Sequence, residues 1–291
     1  MLIRPLLAAL LILPAAALLA ACPAQSDDDD DTAEPTPAPR PGPEYSEGTC
    51  PELRNGWNDD FRSAGLDRSF KMLLPEEPEG APVVFTWHWL GGTAEEILEF
   101  VDFDELPDDE GAIVVSPSSS GSQFEWEFLA DPTDNIDLQF FEDMLSCIHE
   151  RYTVDMDRIY ATGMSAGGLW TSYLTIHESE WLASTAPISG GASEDVWVPP
   201  VRDLPVMLTW GGPTDFAVGF NFHSANQEFS ELLQGRGSFV TECEHTGGHT
   251  IPDGAKDTIW RWFEDHPMDI EEEPYADELP GSFPSYCAIP E

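Results

Sequence analysis

Short apolar runs and segments of helical spacing alternate along nearly all of the chain after Cys50, and this alternation limits its fold more than any other feature. SFKMLLP, PVVFTWHWL, GAIVVSP, DRIYATG, LASTAPISG, LPVMLTWGG and SFVTECEH read as strands, several of them apolar enough to be buried on both faces. IDLQFFEDMLSCIHERY, SAGGLWTSYLTIHES, FHSANQEFSELLQG and GAKDTIWRWFEDH carry apolar residues at helical spacing, the first opening at Asp137 as its expected cap. Such alternation predicts an α/β class: a mostly parallel sheet with helices on both faces. The 291 residues suffice for one sizeable domain, and no internal repeat is visible.

The ends have another character. Residues 1–21 have a basic start at Arg4, an apolar run broken by Pro14, and small residues before Cys22, the pattern of a secretory signal too short for a stop-transfer helix. Leu19-Ala20-Ala21-Cys22 resembles the bacterial lipobox, which implies a lipidated Cys22. Pro23 in place of Asp implies, by the same resemblance, the outer membrane or cell surface. Residues 22–48 are rich in Asp, Glu and Pro and read as a self-repelling tether. The folded domain is expected over 49–291, with an irregular acidic tail from about residue 267.

With 12 Lys+Arg against 55 Asp+Glu, the formal net charge is −43. That field repels nucleic acid and anionic membrane, so neither is expected as a partner, and membrane contact is expected only through the lipid anchor. Cys50, Cys147, Cys243 and Cys287 make an even set in an exported chain, the arithmetic of two disulfides. Of the three pairings, one joining Cys50 to Cys287 would tie the ends of the domain together and is the expectation. No C-x-x-C spacing occurs, and no metal or organic cofactor is expected.

Gly163-Met164-Ser165-Ala166-Gly167 fits G-x-S-x-G, and it falls between a predicted strand and a predicted helix, with Gly168 following. This is the context of a nucleophile held on a tight turn, where small neighbours keep strand and helix from colliding. A serine hydroxyl needs a base and an orienting acid. Asp215 lies on the loop after LPVMLTWGG, and His249 on the glycine-flexed loop TGGHTIP after SFVTECEH. Both are strand carboxyl ends, where groups converge above a parallel sheet. Asp203 and Asp253 are weaker alternatives for the acid. His245 competes with His249 but lies nearer the strand, where packing is the simpler role.

An oxyanion formed by serine attack needs hydrogen-bond donors. The amide of Ala166 is one; the second is expected from Trp89 or Leu90 in the early loop His88–Gly92. Among ten tryptophans, Trp126 is the candidate platform for substrate in an aromatic-lined cleft, the others being assigned mainly to packing.

The stretches PVVFTWHWLGGTAEE, GMSAGG, STAPISGG, WGGPTD and GGHTIP, in this order over about residues 65–266, resemble the secreted esterase branch of the α/β-hydrolases that includes polyhydroxybutyrate depolymerases and feruloyl or acetylxylan esterases. The resemblance implies Ser165 as nucleophile, Asp215 as orienting acid, His249 as base, and a small-molecule or polymeric ester as substrate. Two departures stand out: His88-Trp89-Leu90-Gly91-Gly92 replaces the usual His-Gly-x-Gly-Gly, and Trp210-Gly211-Gly212 replaces a usual His-Gly. A serine peptidase of the same fold, or a catalytically silent surface binding module, are the alternatives.

Overall fold

The structure, a computed structural model, describes residues 40–268 and 270–290. The signal segment, Cys22 and the first part of the tether lie outside them. Chain order is β1 (Gly56–Ser63), β2 (Leu66–Leu73), β3 (Val83–Trp87), α1 (Ala94–Phe100), α2 (Leu106–Glu110), β4 (Ile113–Pro117), α3 (Ile136–Tyr152), β5 (Ile159–Met164) and α4 (Ala166–His177). There follow β6 (Ser184–Ile188), β7 (Val206–Trp210), β8 (Phe216–Ala217), β9 (Phe220–Asn221), α5 (Phe222–Arg236), β10 (Val240–Glu244), α6 (Ala255–Asp265) and β11 (Cys287–Ala288).

Nine strands form one sheet in the order β1-β2-β4-β3-β5-β6-β7-β10-β11. From β4 to β10 every pairing is parallel, while β1, β2 and β11 join antiparallel at the two edges. β3 through β7 are buried along their whole length, as their apolar runs require. Alternate residues of one strand serve opposite faces. Val83, Phe85 and Trp87 pack with Phe141 and Leu145 of α3 and Trp170 and Leu174 of α4. Val84 packs on the other side with Ile97 of α1 and Ile259 and Phe263 of α6.

The helix 136–152 begins where the pattern placed it, but Asn135 caps it instead of Asp137: Asn135 Oδ1 accepts from the amides of Asp137 and Leu138. Asp137 is fully buried and takes another part. Its carboxylate accepts from Arg68 Nη2 at 2.7 Å and from the Glu127 amide at 3.0 Å. This ties the long 118–135 loop to the start of α3. Five features were not expected from the pattern: β1, α1, α2, the β8–β9 hairpin and β11.

The expected Cys50–Cys287 bridge is corrected. The disulfides are Cys50–Cys147 and Cys243–Cys287. The sheet order explains why: Cys50 leads into β1 at one edge, while Cys287 lies in β11 at the other. The ordered domain also begins before residue 49, because the Ser46 amide and hydroxyl both donate to Asp143 at 2.8 Å. The tail is irregular until β11, yet it packs: Tyr275 and Phe283 are buried beside Trp262 and His266. Chain-entropy scaling for the 97-residue separation of the first bridge gives about 4.7 kcal/mol. Urea unfolding of a Cys50→Ser/Cys147→Ser variant should therefore show a loss approaching that value, and about 4 kcal/mol for the 44-residue bridge.

Candidate active site

Ser165 sits at the seam of β5 and α4 with φ 58° and ψ −114°, a left-handed region that side-chain-bearing residues avoid. Such a conformation costs on the order of 1–3 kcal/mol and persists only where the surroundings enforce it. The enforcement is backbone contact. A Cβ on Gly163 would lie 2.7 Å from the Trp87 carbonyl oxygen, and one on Gly167 only 2.0 Å from it. On Gly168 it would meet the Ile188 carbonyl oxygen at 2.2 Å. Strand and helix can meet this closely only through glycine, and the Ser165 amide is fixed by donating to the Ile188 carbonyl at 3.0 Å.

Asp215 follows β7 through a short turn, and His249 follows β10. These loops touch backbone to backbone, since a Cβ on Gly211 would lie 1.8 Å from the Gly248 carbonyl oxygen. Three side chains then meet above the carboxyl ends of the strands. Asp215 Oδ1 lies 2.7 Å from His249 Nδ1, and His249 Nε2 lies 2.9 Å from Ser165 Oγ. A carboxylate only accepts, so Nδ1 carries the proton and Nε2 is free to accept from the serine hydroxyl. Phe222 stacks on the imidazole at 4.5 Å.

Asp215 is fully buried. Burial alone would raise its carboxyl, but hydrogen bonds from His249, the Gly211 amide and the Ser189 hydroxyl outweigh it and hold the group below the ordinary carboxylate range. The sign follows: a depressed folded value contributes stability above the unfolded value of about 4, and that contribution is lost as pH falls through the lower folded value. Ser189 and Phe222 were not singled out in the sequence. Ser189 had a signal, being the serine before the paired glycines of STAPISGG at the carboxyl end of β6.

The competing residues lie elsewhere. Asp203 pairs with Arg236 at 2.9 Å, and Asp253 is exposed. His245 is buried, and its Nδ1 accepts from the Gly247 amide at 3.1 Å.

Trp126 is corrected from platform to buried support. It is 1% exposed, packed edge-on to Trp87 at 4.9 Å and stacked near Trp170. A ring in that position offers no face to a ligand. Its Nε1 donates instead to the His88 carbonyl at 2.9 Å, while the neighbouring Glu125 accepts from the Gly91 amide at 3.0 Å. Glu125 and Trp126 thus grip both ends of the loop that carries Trp89 and Leu90. His88 is buried, which lowers its pKa and favours the neutral ring; its Nδ1 donates to the Trp89 carbonyl.

Two cavities adjoin Ser165. A larger one, about 450 Å³, runs past Ala166, Leu169, Tyr173 and Ile176. A smaller one, about 310 Å³, is walled by Trp89, Phe100, His249, Thr250 and Ile251. Among the described residues no group of three His, Cys, Asp or Glu side chains could hold a metal ion, and no helix is long and apolar enough to cross a membrane.

No family model matches the chain. Among curated proteins it is 26% identical to an oxidized polyvinyl alcohol hydrolase of Sphingopyxis sp. (strain 113P3), over 75% of this chain and 80% of that one. It is 25% identical to feruloyl esterase D of Neurospora crassa, over 51% of this chain and 54% of that one. The chain spans about half the length, or less, of most of the curated relatives it matches. Among solved structures, the protein designated sOPH superposes with TM-score 0.66 at 21% identity, covering 84% of this chain and 97% of that one. An acetyl xylan esterase from Aspergillus awamori superposes with TM-score 0.56 at 16% identity, over 72% of this chain and all of the other. The chain shares the α/β-hydrolase fold with these structures, and in sequence it is similar to a hydrolase and to esterases.

Proposed function

We propose that this chain is a serine carboxylic-ester hydrolase that works through an acyl-enzyme on Ser165. The observation that carries the reading is the hydrogen-bonded chain from buried Asp215 through His249 to Ser165, at 2.7 and 2.9 Å. Ser165 Oγ attacks the ester carbonyl carbon as its proton passes to His249 Nε2. The tetrahedral intermediate collapses, the bond to the alcohol oxygen breaks, and that oxygen takes the proton from Nε2. Water then gives a proton to Nε2 and its hydroxyl to the acyl carbon; Ser165 leaves and recovers its proton. Asp215 holds the imidazole in the required tautomer and stabilises its charged form.

The oxyanion is held by the Ala166 amide, at the start of α4, and by the Trp89 or Leu90 amide. On this reading Trp126 is a positioning residue, since it fixes the His88 carbonyl at the entry to that loop. Trp126→Phe keeps an aromatic ring, though a smaller one, and removes the hydrogen bond, which is about 1 kcal/mol or five- to tenfold. Steady-state kinetics should show that loss in kcat with KM little changed.

The hydrolysis of p-nitrophenyl butyrate by purified protein, followed by stopped flow, tests the proposal. A burst of one p-nitrophenolate per chain, with peptide substrates untouched, supports it. Turnover of peptides alone would favour a peptidase, and no turnover of either would favour a display module. We further propose export and lipid anchoring at Cys22, with two disulfides suiting an oxidising compartment. Palmitate labelling lost in Cys22→Ala tests this.

A further inference from the structure

The two cavities at Ser165 are not equivalent, and the chemistry of proton delivery tells them apart. Resting on the hydrolase reading above, we propose that the larger cavity takes the acyl half of the ester and the smaller one the alcohol half. The substrate class is then an ester of an uncharged apolar acyl group larger than acetyl with an apolar, non-carbohydrate alcohol.

The sides follow from His249. The departing alcohol oxygen must take its proton from Nε2, so it lies within hydrogen-bond reach of that atom. His249, Thr250 and Ile251 wall the smaller cavity and not the larger. Water must later reach the acyl carbon from the same side, which the departed alcohol leaves open. Ala166, whose amide faces the oxyanion, and Leu169 wall the larger cavity and not the smaller. The remaining substituent on the carbonyl carbon, the acyl chain, is directed there.

The linings give the class. The acyl cavity runs from Ser165 past Leu169 and Tyr173 to Ile176, far more room than an acetyl group fills. The Tyr173 hydroxyl is already engaged, donating to the Ala130 carbonyl at 2.7 Å. Glu228 lies at the rim, and with a formal net charge of −43 on the chain it disfavours an anionic acyl group. In the alcohol cavity Trp89 packs edge-on against Phe100 at 5.0 Å, and Met164, Val218 and Ile251 complete an apolar wall. No carboxylate, amide or guanidinium side chain lines it. A sugar would bring several hydroxyls to a wall that offers few partners beyond Thr250, and a site so built discriminates against the polar analogue. Trp89 stands where the resemblance leads one to expect glycine, so this wall is a departure of this chain.

Two ratios of kcat/KM test the proposal in the full-length protein: p-nitrophenyl octanoate to acetate, and benzyl butyrate to a butyryl methyl xyloside. Each buried methylene adds up to about fourfold, so octanoate should exceed acetate by at least about tenfold. Benzyl butyrate should exceed the xyloside by about tenfold or more. Leu169→Trp, with Val196→Trp as a second filling variant at the more exposed wall, should lower the first ratio about tenfold and leave the second within about twofold. Ile251→Trp should do the reverse. A wild type that prefers acetate or the xyloside overturns the substrate class. Filling variants that move the opposite ratio overturn the assignment of sides. No turnover of any ester overturns the hydrolase reading itself, a result distinct from both.

Discussion

Ser165→Ala is expected to lower kcat on p-nitrophenyl butyrate by about 10⁵- to 10⁶-fold, the scale seen when a triad serine is removed. Without Oγ no acyl-enzyme forms, and what remains is stabilisation by the amides and the cavities around a substrate attacked by water. The variant isolates chemistry from folding. Alanine also carries a Cβ, so the strained backbone at φ 58° is no worse served, and Ser165 makes its backbone bond to Ile188 through the amide. Thermal unfolding of variant and wild type should coincide within a few degrees while activity disappears. Activity that survives would place the nucleophile elsewhere.

Asp215→Asn is expected to cost about 10⁴-fold in kcat, for a reason specific to this site. Asp215 Oδ2 accepts from both the Ser189 hydroxyl at 2.7 Å and the Gly211 amide at 2.8 Å. Asparagine has a single oxygen, and these two donors hold it on their side. Its NH₂ then faces His249 Nδ1, which must accept, so the ring proton moves to Nε2 and points at Ser165. The base is present but in the wrong tautomer. A Ser189→Ala/Asp215→Asn double variant removes one donor but leaves the Gly211 amide, which still holds the oxygen, so it should recover none of the loss. Equal activity of the single variant and wild type would remove Asp215 from the mechanism.

Much of this site could be read along the chain. Ser165 and Asp215 lie just past strands with clear β-strand runs, His249 lies past the more polar VTECE, and parallel topology brings strand carboxyl ends to one edge of the sheet. The elbow glycines also announced themselves, because close backbone approach leaves no substitute for them. Other features were hidden for physical reasons. β1 reads GWNDDFRS, an edge strand with a bulge between Asn58 and Phe61, so no clean alternation marks it. α1 is only seven residues long, though its cap was legible: Thr93 Oγ1 accepts from the Glu96 amide and its hydroxyl donates to the Glu96 carboxylate.

Pairing of cysteines depends on which sheet edge each segment reaches, and that is a property of strand order rather than of spacing. Trp126 misled for a related reason. A tryptophan on a loop beside a site looks like a platform until the packing of Trp87 and Trp170 is known. Its indole N–H is then the informative group, because it selects one carbonyl of the oxyanion loop. Arg68 and Asp137 were hidden in the same way, a charged pair buried together, with the Glu127 amide on the carboxylate and the Phe140 ring under the guanidinium.

The central requirement is that the hydroxyl at the β5–α4 turn becomes covalently acylated with His249 as its base. Intact-mass analysis after brief exposure to a fluorophosphonate ester, followed by peptide mapping, measures this directly. A triad mechanism requires one adduct per chain, on the peptide that contains Ser165, lost in Ser165→Ala and slowed by orders of magnitude in His249→Ala. An adduct on another residue, or one that forms as fast in His249→Ala as in wild type, would contradict it.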